Sequence, residues 1–145
     1  MDKGLVVLAK SIAEAQGLVP ELICAIIEQE SAWNPWSIRY EPLFMTKYVA
    51  PLYTNNKIKG ATEAYARCFS WGLMQVMGQV AREHGYIGPL CQLCDPNFGI
   101  LVGCQVFKSK LDKANGDVTQ ALLLWNGGSN PEYAPNTLAR VANYR

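Results

Sequence analysis

The chain has 145 residues, half of them hydrophobic, with 13 basic side chains against 12 acidic ones. This length is enough to bury one hydrophobic core but short for two, so we expect a single domain over residues 1–145. A formal net charge of +1 gives no long-range field to attract a polyanion, so composition offers no argument for nucleic-acid binding. Ligand binding must therefore depend on a local site.

The N-terminus and the apolar runs bear on membranes and export. No uninterrupted apolar run approaches the roughly 20 residues that span a bilayer, so we expect no integral membrane segment. The first residues include an acid, only a very short apolar stretch and no small-residue cleavage pattern. They are unlike a signal peptide, and we expect that this chain does not itself encode its export.

The cysteines form an odd set of five, which fits buried reduced thiols better than a complete disulfide framework. Cys91 and Cys94 have the spacing of a redox pair or of half a zinc site. No second pair has this spacing and His84 is the only histidine, so we predict no metal site. A disulfide within the pair, or with Cys104, stays open if the chain reaches an oxidising space.

Hydrophobic periodicity of the helical kind dominates the chain and predicts a mainly α fold. Prolines and capping aspartates mark the helix starts, and glycines mark the ends. We expect helices over about 3–15, 20–33, 73–84, 96–114, 117–125 and 131–143. Three prolines interrupt the pattern between residues 34 and 60, which predicts an irregular or small β segment there.

Aromatic side chains are frequent in this irregular segment. Most of them are expected to fill its core. Tyr40 or Tyr48 could instead line a sugar subsite, because an aromatic ring offers a flat apolar face to pyranose C–H groups while the hydroxyl stays free to hydrogen-bond.

A carboxylate lies on the apolar face of the second predicted helix. At about 100° per residue, Glu30 shares this face with Ile23, Ile26 and Ile27, whereas Glu28 points roughly the opposite way. Burial against apolar groups disfavours the anion, so the pKa of Glu30 should rise, as a general acid requires. The alternative is an acid at a fraying helix end that reaches water.

Three separated motifs run along the chain: Glu-Ser-Ala-Trp-Asn-Pro from Glu30, Ser-Trp-Gly-Leu-Met-Gln from Ser70, and Trp-Asn-Gly-Gly from Trp125. In this order and spacing they resemble the catalytic domain of the SLT-type lytic transglycosylases, in the lysozyme-like superfamily that includes goose-type lysozymes. The segment from Asp95 is similar to the one that opens the family's central helix. The resemblance covers residues from about 18 to 144 and implies a mainly α (α+β lysozyme-like) domain with a substrate cleft.

The resemblance implies roles for the matched residues. It makes Glu30 the catalytic acid, and later the base, on the β-1,4 bond between N-acetylmuramic acid and N-acetylglucosamine in peptidoglycan. Ser70 is then expected to approach the N-acetyl group or Glu30. Gly72 would permit close backbone approach, because it lacks a Cβ. Met74 and Gln75 would floor the cleft, with core filling as the alternative for Met74.

The last motif departs from the family pattern, which has tyrosine where this chain has Trp125. A tyrosine could offer its hydroxyl to the catalytic carboxyl, whereas an indole can donate only its ring N–H. Asn126 matches the motif and is expected to hold an N-acetyl carbonyl or the neighbouring backbone. Tyr133 matches a tyrosine that faces the site in the family. Either residue could supply what Trp125 does not.

Glycosidases usually use two carboxylates, but the resemblance implies that one is enough here. Glu30 would protonate the leaving oxygen and then deprotonate the C6 hydroxyl, which yields a 1,6-anhydromuramic product without water. Glu41 is the secondary catalytic candidate, since it could position a water and make the enzyme a hydrolytic muramidase. The alternative is that Glu41 pairs with Arg39 and shapes the loop.

We therefore expect a lytic transglycosylase, or otherwise a lysozyme-type muramidase, that acts as a monomer without a metal or organic cofactor. It would act on the bacterial cell wall, in the periplasm, outside the cell or delivered by a phage. The rival from another class is a non-catalytic peptidoglycan-binding or virion-structural module. Only the replacement at Trp125 supports this rival.

Overall fold

The computed structural model describes all 145 residues and is mostly helical with one small antiparallel sheet, which confirms the mainly α prediction. The helices, in chain order, are α1 (Lys3–Ala15), α2 (Pro20–Ser31), α3 (Pro42–Phe44), α4 (Ala50–Thr54), α5 (Ala61–Ala66), α6 (Gly78–Glu83), α7 (Pro96–Lys113), α8 (Val118–Asn126) and α9 (Tyr133–Arg140). A π-helical turn, Met45–Val49, joins α3 to α4, and 3-10 turns lie at Leu90–Cys94 and Val141–Tyr144. The strands are β1 (Ile38–Tyr40), β2 (Phe69–Trp71) and β3 (Val76–Met77).

Capping residues fix the helix starts that the sequence predicted. The side chain of Asp2 accepts hydrogen bonds from two backbone N–H groups at the start of α1. Asp95 caps α7 in the same way ahead of Pro96, and Asp117 accepts from the backbone N–H of Gln120 in α8. Each carboxylate satisfies N–H groups that have no partner within the helix, which is why these starts are predictable from sequence.

Two predicted helices have the wrong boundaries. The helix expected from residue 73 begins only at Gly78, because Gly72 (φ 71°) and Gln75 (φ 52°) form a left-handed turn and Val76–Met77 is a strand. The helix expected over 131–143 is α9 followed by the 3-10 turn Val141–Tyr144.

The segment over 34–60 is only partly what the sequence predicted. It contributes the single strand β1, while β2 and β3 come from further along the chain. The rest is largely helical, since Pro42 and Pro51 lie in the first turns of α3 and α4, where a missing N–H costs nothing.

A core cluster of 26 buried residues is built around α2 and α7. Helix α2 packs against α1, α9 and the C-terminal 3-10 turn, and α7 packs against α1 and α8. A smaller cluster of four buried residues lies beneath the α3–α4 segment. Four of the five cysteines are buried, Cys91 is exposed and all five are free thiols. No helix is both long and apolar enough to cross a lipid bilayer.

The strand register separates the sheet into two faces. Arg39 pairs with Ser70, and Ser70 with Met77, so these three side chains share one face. The other face carries Tyr40 and Phe69, whose ring centroids lie 5.3 Å apart, and continues to Trp71, 5.6 Å from Phe69.

Candidate active site

The C-terminal end of α2 positions the candidate acid. Glu30 lies in the last turn, and the helix ends because Ala32 (φ 49°) and Trp33 (φ 65°) adopt left-handed backbone conformations. The buried Ser31 hydroxyl bonds to the carbonyl of Ile27 (3.1 Å) and to that of Leu73 (2.8 Å). Ser31 thus connects the end of α2 to the turn between β2 and β3.

The carboxyl of Glu30 is held at one oxygen by two donors from separate helices. The Tyr133 hydroxyl donates to Oε1 at 2.6 Å, and Nε1–H of Trp125 donates to the same oxygen at 3.3 Å. No protein group donates to Oε2. This oxygen is also not one of the buried polar atoms that lack a hydrogen-bond partner. One side of the carboxyl is therefore oriented by the protein, and the other is open to a ligand.

Burial raises the pKa of Glu30, in the direction that its helix face predicted. The hydrogen bonds from Tyr133 and Trp125 and the positive charge of Arg39 act the other way, and burial has the largest effect. The pKa of Tyr133 is also raised, by burial and by the nearby Glu30 carboxylate, so the phenol stays a neutral donor. A carboxyl in this balance can exchange its proton closer to neutral pH than an exposed glutamate can.

Glu28 has separate partners on another side of α2. Its Oε2 accepts from the Tyr144 hydroxyl at 2.9 Å, and that hydroxyl accepts from Nε1–H of Trp33 at 2.8 Å. The rings of Trp33 and Tyr144 also pack at 5.8 Å. Glu28 therefore anchors the C-terminal 3-10 turn to α2, and the two glutamates have different roles, as their helix faces predicted.

The matched residues of the second motif hold the turn between β2 and β3 in place. A Cβ on Gly72 would lie 2.3 Å from the carbonyl oxygen of Leu93, so the close approach here is made by the protein's own backbone. The Gln75 side chain donates to the carbonyls of Ser37 and Gly72, both at 2.9 Å. Met74 is 0% exposed, so the structure supports core filling and not the cleft-floor role expected for it.

Ser70 and Glu41 have partners other than Glu30. The Ser70 hydroxyl, 8% exposed, donates to Sδ of Met77 at 3.1 Å and makes no hydrogen bond to Glu30. Glu41 pairs with Arg39, with 3.0 Å between Oε1 and Nε, which is the structural alternative considered for it. Ser70 therefore lies in the central strand β2, and Glu41 forms an ion pair with a residue of the edge strand β1.

Tyr40 lies on the sheet face opposite Arg39, because successive strand residues point to opposite sides. Its ring packs against Tyr65, with centroids 6.0 Å apart, and against Phe69. The charge of Arg39, in contrast, acts on Glu30. The structure thus groups Tyr40 with an aromatic cluster and does not bring it into contact with the candidate acid.

Asn126 places an unpaired donor beside Trp125. Its Nδ2 is buried and has no hydrogen-bond partner in the protein. Trp125 itself packs edge-on against Phe107, with centroids 5.8 Å apart. An unpaired buried donor costs free energy, and this one is shielded from solvent.

Sequence reasoning missed three polar residues near this region. Arg39 influences Glu30 electrostatically, and this depends on strand register, which the sequence did not reveal. Gln29 and Thr137 each bury a side-chain oxygen that has no partner. Gln29 directly precedes Glu30 in the sequence, and this position was the only feature of the sequence that could have drawn attention to it. No group of three or more His, Cys, Asp or Glu side chains is arranged to hold a metal ion.

A helical domain with a small antiparallel sheet and a half-buried carboxyl at the end of a core helix is consistent with a lysozyme-like fold. Residues 8–139 match the Transglycosylase SLT domain, and because this match covers most of the chain, the protein belongs to that family. Membership supports peptidoglycan-degrading lytic transglycosylase activity and action on the cell wall. No solved structure matches the chain at a significant level.

Proposed function

We propose that this protein cleaves the β-1,4 bond between N-acetylmuramic acid and N-acetylglucosamine without water, with Glu30 as the only acid and base. The observation that carries the proposal is the state of the Glu30 carboxyl. Two donors hold Oε1, Oε2 is open, and burial raises the pKa. This arrangement orients a proton on Oε2 towards a bound glycan.

The first step needs Glu30 in its protonated form. Oε2 gives its proton to the glycosidic oxygen while the bond between that oxygen and C1 of the muramic residue breaks, and the N-acetylglucosamine chain leaves with a free hydroxyl. The carbonyl oxygen of the muramic N-acetyl group stabilises the positive charge at C1. Asn126, which follows Trp125 at the end of α8, is the residue that the family motif assigns to this N-acetyl group.

The second step needs Glu30 as the carboxylate. Oε2 takes the proton from the C6 hydroxyl as the C6 oxygen bonds to C1, which closes the 1,6-anhydro ring and returns Glu30 to its protonated form. No proton or water is consumed over the cycle. A pKa near ambient pH serves both steps. The Tyr133 hydroxyl favours the carboxylate and burial favours the acid, so the two effects oppose each other at this residue.

The partners of Glu41 favour this chemistry over hydrolysis. Most hydrolytic glycosidases use a second carboxyl group, which can activate water. Glu41 is engaged by Arg39 at 3.0 Å, and that pair occupies the exposed edge of the sheet.

The test is mass analysis of the products released from purified peptidoglycan by the wild type and by Glu30→Gln. We expect anhydromuramic products, one water lighter than hydrolysed ones, from the wild type and none from the variant. Glu28→Gln is the matched control, since it changes a neighbouring carboxylate that holds Tyr144, and it should keep the product pattern. Full activity in Glu30→Gln would refute the proposal.

Two other outcomes would identify the rival functions. Products that carry the added water would indicate a muramidase, and Glu41→Gln should then abolish release. Binding to sacculi without any fall in turbidity would indicate a non-catalytic peptidoglycan-binding module.

A further inference from the structure

The 3-10 turn Leu90–Cys94 brings two thiols to the same side of the backbone. In a 3-10 helix, residues three apart are eclipsed and lie about 6 Å apart along the axis. Cys91 and Cys94 are such a pair. A disulfide requires a Cα separation of roughly 4.4–6.8 Å, so the turn holds the two cysteines at a suitable distance.

The two thiols differ in exposure in a way that suits sequential reaction. Cys91 is exposed, whereas Cys94 is 8% exposed. Burial raises the pKa of Cys94, and the nearby Cys91 adds to that rise. An oxidant in solution can therefore reach Cys91 first, with Cys94 beside it to complete the bond.

The remaining thiols cannot compete for this reaction. Cys24, Cys68 and Cys104 are each 0% exposed and lie on other parts of the fold. A reagent can reach them only if the core opens. The pair is also separate from the groups that hold Glu30, which lie on α8 and α9.

The turn has a structural task that a crosslink would reinforce. The carbonyl oxygen of Leu93 lies 2.3 Å from the position that a Cβ would occupy on Gly72, and also 2.3 Å from that position on Gly99. The turn is thus wedged between the hairpin that carries Ser70 and the first turn of α7. A disulfide between its two ends would hold Leu93 in contact with Gly72, in the hairpin of β2 and β3.

We propose that Cys91 and Cys94 are an oxidation site that forms an intrachain disulfide by exchange with a low-molecular-weight disulfide. The Cys91 thiolate attacks one sulfur of the oxidant, the oxidant's S–S bond breaks and one thiol leaves. The Cys94 thiolate then attacks Sγ of Cys91 and releases the second thiol. The protein loses two electrons and two protons, and the oxidant disulfide gains both as two thiols.

The experiment treats the full chain with oxidised glutathione, blocks remaining thiols with an alkylating agent after unfolding, and maps the peptides by mass spectrometry. We expect one linked peptide that contains Cys91 and Cys94, with the other three cysteines alkylated and with reversal by dithiothreitol. The crosslinked form should unfold only about 5 °C higher than the reduced form, because a short closed loop restricts the unfolded chain less than a long one.

Two variants separate the steps. Cys94→Ser should accumulate a stable glutathione adduct on Cys91, because the resolving thiol is absent. Cys91→Ser should form neither adduct nor disulfide. The proposal is overturned if the treated wild type keeps both thiols alkylatable, retains a glutathione adduct on Cys91, or links Cys91 to another cysteine. These readouts do not depend on activity, so they stand apart from the test of Glu30.

Discussion

Tyr133→Phe removes one hydroxyl from the site and leaves the buried ring in place. The hydroxyl oxygen lies 2.6 Å from Oε1 of Glu30, in the range of a charge-assisted bond, and Tyr133 is 4% exposed. Hydrogen bonds to charged groups contribute about 1.5–3 kcal/mol, and one pKa unit corresponds to about 1.4 kcal/mol. Loss of the bond should therefore raise the pKa of Glu30, with Trp125 at 3.3 Å offsetting part of the loss.

The assay is turbidity clearing of purified peptidoglycan as a function of pH. Cleavage begins with protonated Glu30, so activity falls as pH rises through its pKa. A raised pKa moves this alkaline limb to higher pH. The maximal rate should fall about 10-fold or more, because the carboxyl has lost its shorter anchor and, with a raised pKa, is a weaker acid in the first step.

Tyr144→Phe is the matched control, since it removes a hydroxyl from the other glutamate, Glu28. It should lower stability and leave the pH profile unchanged. If the profile of Tyr133→Phe superimposes on that of the wild type, the hydroxyl does not set the pKa of Glu30, and the assignment of Tyr133 as its orienting donor is wrong.

Three further predictions concern charge and backbone. Arg39→Gln removes a positive charge that lowers the pKa of Glu30, so the alkaline limb should move to higher pH, by less at high salt, in the same turbidity assay. Glu30→Gln should increase the free energy of unfolding at neutral pH, because the pKa of Glu30 is raised in the folded state and its ionisation therefore favours unfolding. Below about pH 4 the carboxyl is protonated in both states, so the substitution should have no such effect. Urea titrations at both pH values measure this. Gly72→Ala should cost about 2–4 kcal/mol in urea unfolding, since it adds a clash with Leu93 to a left-handed backbone, whereas Gly17→Ala, at φ 73° with open space around it, should cost about 1 kcal/mol.

Local sequence predicted the helices that local interactions define. Helix α1 follows a capping aspartate and ends before Gly17, and α7 follows Asp95 and Pro96, so their boundaries are encoded within a few residues. The segment after Gly72 is different. Its apolar run has helical character, but the turn there depends on contacts with Leu93 and Ser37, which are distant in sequence. Long-range contacts overrode the local pattern, and the helix was placed too early.

The candidate site shows the same division. The burial of the Glu30 carboxyl could be predicted because its apolar helix face is a local property, and its separation from Glu28 followed from the same geometry. The influence of Arg39 was not found, because it requires the register of β1 against β2. Met74 was placed on the cleft floor by its motif alone, whereas its side chain fills the core against Gly103.

The tryptophan at position 125 changes which residues donate hydrogen bonds to Glu30, but Glu30 still has two donors. The indole N–H donates to Glu30 at 3.3 Å, a longer bond than the 2.6 Å bond from Tyr133 on α9. A single phenol therefore provides the short bond, and the indole provides packing against Phe107 with a weaker donor. Because both donors act on Oε1, neither competes with a substrate at Oε2. The departure that most favoured a non-catalytic module is thus compatible with an oriented carboxyl whose pKa burial still raises.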